Sequence, residues 1–255
     1  MLSVETYSTM QEAAGAMSDR ARFLGGGTII MRAVTYGDQS FEKVVRARDS
    51  DRSITPDANG LRIGAGATMA DILASRDVDF LHPVARAIGG PQVRNMATVG
   101  GNLFAANPYG DFAVALLVLD AQATMSDGRN VPLSDVLASR ARPTGLVASV
   151  TLSRPETGAF RFRKVSRVKP KGVSVMSLAV NLKRGDPRVV FGNMADRPTR
   201  SVGAERALSN DPNNIAAACA ACLEGLSPID DELATEWYRR EVAPVHLKRL
   251  LEGHS

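Results

Sequence analysis

Two glycine runs constrain this chain more than any other feature. Gly25-Gly26-Gly27-Thr28 breaks any regular element that enters it, and Thr98-Val99-Gly100-Gly101-Asn102 follows about 75 residues later. A residue without Cβ lets a phosphate approach the backbone, and successive N–H groups in a tight turn form a concave anion site. Thr28, Thr98 and Asn102 add side-chain donors. Two such loops converging on one ligand suit a diphosphate, which then needs few Lys or Arg partners. The alternative is that each run is an ordinary turn.

The rest of the chain is ordinary enough to support such a site. It has 255 residues, 44% hydrophobic and 23% charged, which excludes a disordered tail protein and allows a sizeable core. Residues 1–155 hold 15 basic and 15 acidic side chains, whereas 156–255 hold 16 and 12, so the formal charge of +4 lies in the last hundred residues. The longest apolar run, Phe112 to Leu119, is far short of the roughly 20 residues of a membrane span. The first ten residues carry neither a basic nor an apolar signal region, and a cytoplasmic location is expected. Cys219 and Cys222 form a CxxC within an Ala-rich helical stretch that has no second pair and no nearby His. They read as small helix-packing residues rather than a metal or redox pair. His82, His246 and His254 have no neighbouring Cys or carboxylate at ligand spacing, so no metal site and no His-dependent hydrolase is expected.

Element signals are clearest around the two runs. Met10 to Met17 is helical, Ile29 to Val34 is an apolar helix or strand, and Phe41 to Val45 is a short strand. Asp49 to Gly60 is polar and contains the turn pair Asn59-Gly60, which places a subdomain edge near residue 52. Thr68 and Asp71 match a capping box, and His82 to Ile88 is a second short helix. Asp111 is expected to cap the helix Phe112 to Leu119, and Asp127-Gly128 to turn a hairpin. Strands at Ser174 to Leu182 and Val189 to Gly192, joined by a Gly185-Asp186-Pro187 turn, predict a small antiparallel sheet. Helices follow at Val202 to Leu208, Asn214 to Leu223 and Asp230 to Glu241. In the last of these Leu233, Trp237 and Tyr238 share a face, and Pro244 starts a further basic helix.

Several familiar motifs are missing. Gly64-Ala65-Gly66-Ala67-Thr68-Met69 lacks the third glycine of a Rossmann turn, and no P-loop occurs. Around the second run, however, the text IGGPQVRNMATVGGNLFAANPYGD leads into the helix FAVALLVLDAQA. This resembles the flavin subunit of the molybdenum hydroxylases, the xanthine dehydrogenase and carbon monoxide dehydrogenase group. FLGGGTIIM is similar to that family's first glycine loop, and FRKVSR, FGNMADRPTR and PIDDELATEWYRREVAPVHLKRL continue the likeness in order.

The resemblance implies an α+β chain with FAD-binding subdomains at 1–52 and 53–155 and a C-terminal domain at 156–255 holding a small antiparallel sheet and helices. It implies that Gly25, Gly26, Gly27, Thr28, Ile29 and Ile30 wrap the FAD pyrophosphate and ribityl, with Thr98, Gly100, Gly101 and Asn102 as the second wall. Gly110 and Asp111 would meet the ribityl or adenosine side, Asp111 serving equally as a helix cap, and Lys164 would approach the flavin. Partners implied are a large subunit with a molybdenum cofactor and a small subunit with [2Fe-2S] clusters, as a dimer of heterotrimers. No iron-sulfur insertion fits a chain with two cysteines.

Two departures stand out. Ile29 occupies a position where the family usually shows an acid, and the segment after Arg167 is basic. Arg161, Arg163, Lys164, Arg167, Lys169 and Lys171 put six positive charges in eleven residues. They read as a solvated edge or as a flavin or partner contact; a nucleic-acid surface would want interleaved aromatics. The expected role is electron transfer from iron-sulfur clusters to a terminal acceptor. The rivals are a free-standing flavin oxidase or reductase and a basic binding module. The organic substrate, the final acceptor and the stoichiometry are not legible.

Overall fold

The computed structural model describes residues 2–58, 60–140, 145–168 and 172–253. Asn59, Lys169, Lys171 and His254 lie outside the described residues. The chain divides into two compact units, Met1–Ala105 with Ala121–Ser153, and Ala106–Asp120 with Arg154–Ser255.

The first unit opens with β1 (Ser3–Tyr7), α1 (Met10–Gly15), β2 (Ala21–Phe23), α2 (Ile30–Thr35) and β3 (Lys43–Ala47). The strands form a parallel sheet in the order β1-β3-β2. Thr9 and Glu12 build a reciprocal capping box that starts α1, whose Met10 and Ala13 then pack with Ala21, Val45 and Ala47. The glycine run forms the β2-to-α2 connection, so the apolar segment after it resolves as a helix.

The same unit continues with β4 (Ile54–Asp57), β5 (Gly60–Gly64), α3 (Met69–Ala74), α4 (His82–Ala87), α5 (Pro91–Arg94) and α6 (Val99–Leu103). The chain then leaves through α7 (Asp111–Val118) and returns with β6 (Gln122–Met125), β7 (Asn130–Pro132), α8 (Leu133–Ala138) and β8 (Val147–Leu152). Five antiparallel strands line up as β4-β5-β8-β6-β7. The predicted hairpin is β6-β7, turned through Gly128 at φ +86°. β4 falls in the stretch that the sequence predicts as loop; Pro56 is tolerated because β4 is an edge strand, and Pro132 ends β7 at the opposite edge.

In the second unit, β9 (Phe160–Val165), β10 (Met176–Asn181), β11 (Arg188–Gly192) and β12 (Thr199–Arg200) form the antiparallel sheet β12-β11-β10-β9. One face, with Met176, Leu178, Val180, Val189 and Phe191, packs on α9 (Val202–Asn210), α10 (Ile215–Ala220) and α11 (Glu236–Leu251). The fully buried α7 packs against β10 and β11, at a point where Gly192 leaves room for Val114. Residues 106–120, which the sequence assigns with 53–155, therefore group with the C-terminal segment.

The end of the chain departs from expectation. The sequence predicts a helix over 230–241, on which Leu233, Trp237 and Tyr238 share a face, and a second one begun by Pro244. The structure has one helix from Glu236 to Leu251, capped by Thr235, with Pro244 inside it. Its buried face is Arg239, Ala243, Leu247 and Leu250, whereas Trp237 is 69% exposed. Core packing of that face outweighs the single helical bond that a proline forfeits. Arg239 is buried yet satisfied: Nε donates to the Val175 carbonyl at 3.1 Å, Nη1 to those of Ile229 and Ala234, and Nη2 to Asp231 Oδ2 at 2.7 Å. Burial would raise the Asp231 carboxyl, but bonds from Arg239 and from the N–H groups of Leu233 and Ala234 outweigh it and hold the group below its ordinary 3.8.

Cys222 lies in the C-terminal core and Cys219 packs against it. Cys222 is fully buried in the C-terminal core, which pushes its thiol up to about 12, and burial raises Cys219 as well. A neutral thiol is favoured in the fold while the unfolded chain ionises near its ordinary 9.0, so stability is expected to fall as pH rises through 9. Iodoacetamide at pH 8 is expected to leave Cys222 unmodified until the protein is denatured. Equal labelling of native and denatured chain would contradict this assignment.

Candidate functional site

The two glycine runs meet within the first unit. A Cβ on Gly25 would lie 2.7 Å from Thr98 Oγ1, and one on Gly26 would overlap the Met96 carbonyl. The absence of side chains is what lets the loops touch.

The first loop is a cradle of unspent donors. The Leu24 N–H donates to the Val45 carbonyl at 2.7 Å, and the next N–H with a backbone acceptor is that of Met31, to Gly27 at 2.9 Å. Between them, the six N–H groups of Gly25, Gly26, Gly27, Thr28, Ile29 and Ile30 have no acceptor among the described residues. Gly27 takes φ +74°, which curls the run. A series of adjacent N–H groups without internal partners in a half-exposed turn is open to water and, equally, to an anion.

The second loop is built differently. Thr68 and Thr98 face each other across an isolated antiparallel bridge, with Met69 N–H donating to the Ala97 carbonyl at 2.9 Å and Val99 N–H to the Ala67 carbonyl at 2.8 Å. Each threonine caps a helix, α3 and α6 respectively. In α3 the third helical residue is Asp71, whose Oδ2 accepts from the Thr68 N–H at 2.8 Å and from its hydroxyl at 2.8 Å. Burial would raise this carboxyl, but bonds from Thr68 and Arg52 outweigh it and keep it below its ordinary value. In α6 the equivalent residue is Gly101, which has no side chain to accept from the Thr98 N–H and hydroxyl.

The N–H groups of the second loop are otherwise spent. Gly100 donates to the Ala65 carbonyl at 2.8 Å, Gly101 to Thr98 Oγ1 at 3.0 Å, and Asn102 to the Thr98 carbonyl at 3.0 Å. The Asn102 amide also donates to that carbonyl, at 3.1 Å. The sequence expects donors from both loops, whereas the structure leaves the second with the N–H and hydroxyl of Thr98. Thr98 closes the Gly101 and Asn102 N–H groups locally as a helix cap, but those of Val99 and Gly100 are closed by Ala67 and Ala65 on another stretch of chain, which no local sequence signal shows.

Gly110, Asp111 and Lys164 belong to the second unit. Gly110, at φ +92°, is the N-cap of α7, and Asp111 is its first helical residue rather than its cap. The buried Asp111 accepts from Ser174 Oγ at 2.7 and 2.8 Å and from Lys164 Nζ at 3.1 Å. Two predicted residues far apart in sequence are thus partners, joined by Ser174, which sequence reasoning missed. Elsewhere in the basic segment, Arg161 donates to the Leu250 and Leu251 carbonyls at the end of α11. At least two of the six charges therefore serve the fold, which weakens the reading as a polyanion surface. Arg200 of the FGNMADRPTR stretch is likewise held by Glu205, itself bonded to the Val189 N–H. Among the described residues no cluster of His, Cys, Asp or Glu could hold a metal ion, and no helix is long and apolar enough to cross a membrane.

Known proteins resemble this chain over both of its segments. The family described as the FAD binding domain in molybdopterin dehydrogenase matches residues 1–154, and the CO dehydrogenase flavoprotein C-terminal domain matches 162–253. The xanthine dehydrogenase FAD-binding subunit of Escherichia coli is 25% identical, with 98% of this chain and 94% of that one aligned. The glyceraldehyde dehydrogenase medium chain of Sulfolobus acidocaldarius is 28% identical over 73% of each. Among solved structures, the fold matches carbon monoxide dehydrogenase from Hydrogenophaga pseudoflava, with a TM-score of 0.88 at 21% identity over 98% of this chain and 96% of that one. The matching protein from Oligotropha carboxidovorans gives 0.83 at 23% identity over 99% and 96%. With both domains matched in order, the chain belongs to the molybdopterin dehydrogenase FAD-binding family and is the flavin subunit of an oxidoreductase of that type.

Proposed function

We propose that this chain is the electron-collecting FAD subunit of a heterotrimeric molybdenum hydroxylase, fed by the [2Fe-2S] clusters of a small partner and serving a terminal acceptor. The carrying observation is the cradle of six N–H groups beside Thr98, which fits a diphosphate. Gly25 to Ile30 would hold the pyrophosphate and adjoining ribityl, and Thr98 would donate from the second wall, with Gly100, Gly101 and Asn102 setting its position. Gly110, Asp111 and Lys164 complete the proposed set, Ser174 and Lys164 keeping the Asp111 carboxylate oriented. Subdomains 1–52 and 53–155 would bind the cofactor, and 156–255 would complete the subunit. Bound FAD supplies the junction between one-electron carriers and a two-electron acceptor.

The names of relatives support the assembly, since the Sulfolobus acidocaldarius protein is a medium chain and a Paenarthrobacter nicotinovorans relative is a subunit of a dehydrogenase complex. Purified with its native partners, the chain is expected to carry about one FAD per copy, with iron and molybdenum in the same peak at the mass of two heterotrimers. A flavin-loaded chain that turns over an organic substrate without molybdenum or iron would favour the free-standing oxidase. A complex with metals and no flavin would refute the proposal.

A further inference from the structure

The run Gly64-Ala65-Gly66-Ala67-Thr68, which makes no Rossmann turn, has another use in the fold. Both glycines make room for the linker between β3 and β4. A Cβ on Gly64 would lie 2.3 Å from the Asp51 carbonyl oxygen, and one on Gly66 would lie 2.8 Å from those of Ser50 and Asp51. The Gly66 N–H donates to the Asp51 carbonyl at 2.7 Å, and the Gly64 N–H to that of Ser53 at 2.8 Å. The Asp51 carboxylate accepts from the Ser53 N–H at 2.8 Å and from Arg62 Nη1 at 2.5 Å, which pins the linker to β5. Burial would raise this carboxyl, but bonds from Ser53 and Arg62 outweigh it and keep it below its ordinary value, so the pair is ionised. At the next residue, Arg52 reaches both carboxylate oxygens of Asp71, the acid that accepts from Thr68. Two adjacent linker residues thus hold the two ends of the 64–68 loop.

That loop carries the second wall of the cradle. Ala65 and Ala67 accept from the Gly100 and Val99 N–H groups, each at 2.8 Å, and Thr68 bridges to Thr98. The first wall hangs from the other end of the same linker, where the Val45 carbonyl of β3 accepts from the Leu24 N–H at 2.7 Å. The six unspent N–H groups of the first loop make no bond to the second. The spacing of the walls therefore depends on β3, the linker and the 64–68 loop, because a binding wall is only as fixed as the bonds behind it.

We infer that Asp51 is a positioning residue for FAD, acting through the 64–68 loop to hold Thr98 beside the Gly25 to Ile30 run. The inference rests on the proposed function above. The action is indirect, passing from Asp51 to Gly66 and from there to Ala65 and Ala67.

Two measurements test it. In the flavin-free chain, Asp51→Ala is expected to speed hydrogen exchange of the Val99 and Gly100 N–H groups about tenfold and to leave those of β10 unchanged. In flavin titration it is expected to raise the FAD dissociation constant about tenfold, with Asp51→Asn, which keeps an acceptor for the Ser53 N–H, losing less. In a Thr98→Val background the same Asp51→Ala change is expected to cost under about threefold, whereas a general loss of stability would cost the same in both backgrounds. Unchanged exchange at Val99 and Gly100, or an equal loss of FAD affinity in both backgrounds, would overturn the inference. Accelerated exchange with unchanged affinity would overturn it too, and if Thr98→Val also left affinity unchanged, the reading of Thr98 as a cofactor contact would fall separately.

Discussion

Replacing Gly26 by Ala is expected to lower FAD retention more than a hundredfold and to destabilise the first unit by about 2 to 3 kcal/mol. The added methyl overlaps the Met96 carbonyl, a backbone atom that cannot rotate away. The first loop must therefore separate from the second, and the six adjacent N–H groups lose their placement beside Thr98. Gly15→Ala is the control, since nothing lies within 4 Å of its Cβ. Gly100→Ala is intermediate, because its Cβ would meet Ala65 at 3.0 Å and can be relieved by a small shift. The FAD-to-protein ratio and the unfolding temperature of the three variants check the order. Wild-type flavin content in Gly26→Ala would show that the cofactor does not depend on contact between the loops.

The second large effect is expected at Gly101, and there stability and binding move in opposite directions. Thr68 and Thr98 are related as facing helix caps, but only α3 carries an acid at the third position. Gly101→Asp would supply the missing carboxylate, placing it on the N–H and hydroxyl of Thr98. Helix propensity and the capping box predict unchanged or slightly higher stability, by about 0.5 to 1 kcal/mol. A carboxylate about 4 Å from a phosphate costs roughly 4 kcal/mol at an effective dielectric of about 20, so FAD affinity is expected to fall roughly a thousandfold. Gly101→Asn, of similar size and without charge, should retain most of the flavin. Calorimetry for stability and flavin titration for affinity separate the two effects. Unaltered affinity in Gly101→Asp would remove Thr98 from the site.

Much of the fold was legible wherever the deciding contacts are local. The Thr68–Asp71 box spans three residues, and the hairpin at Asp127-Gly128 is set by a glycine with positive φ, so both appear as read. The misses share a cause. β4 holds Pro56 in a polar stretch and is a strand only because β5 pairs with it. α6 carries two glycines and stands because Ala65 and Ala67 accept its first N–H groups. α11 runs through Pro244 because Leu247 and Leu250 pack into the core beyond it.

The sequence by itself determined where side chains had to be absent, which residues start the helices, and the family, because each is written in a run of a few neighbouring letters. Tertiary structure decided which donors remain unspent. The N–H groups of Gly25 to Ile30 have no acceptor among the described residues, whereas those of Val99 and Gly100 are closed by the distant Ala67 and Ala65 carbonyls and those of Gly101 and Asn102 by Thr98 itself. It also paired Asp111 with Lys164 and Ser174 across more than fifty residues, and buried Arg239 while leaving its neighbour Trp237 exposed. A hydrogen bond between distant segments depends on how strands and helices pack, and no local pattern of residues encodes that distance.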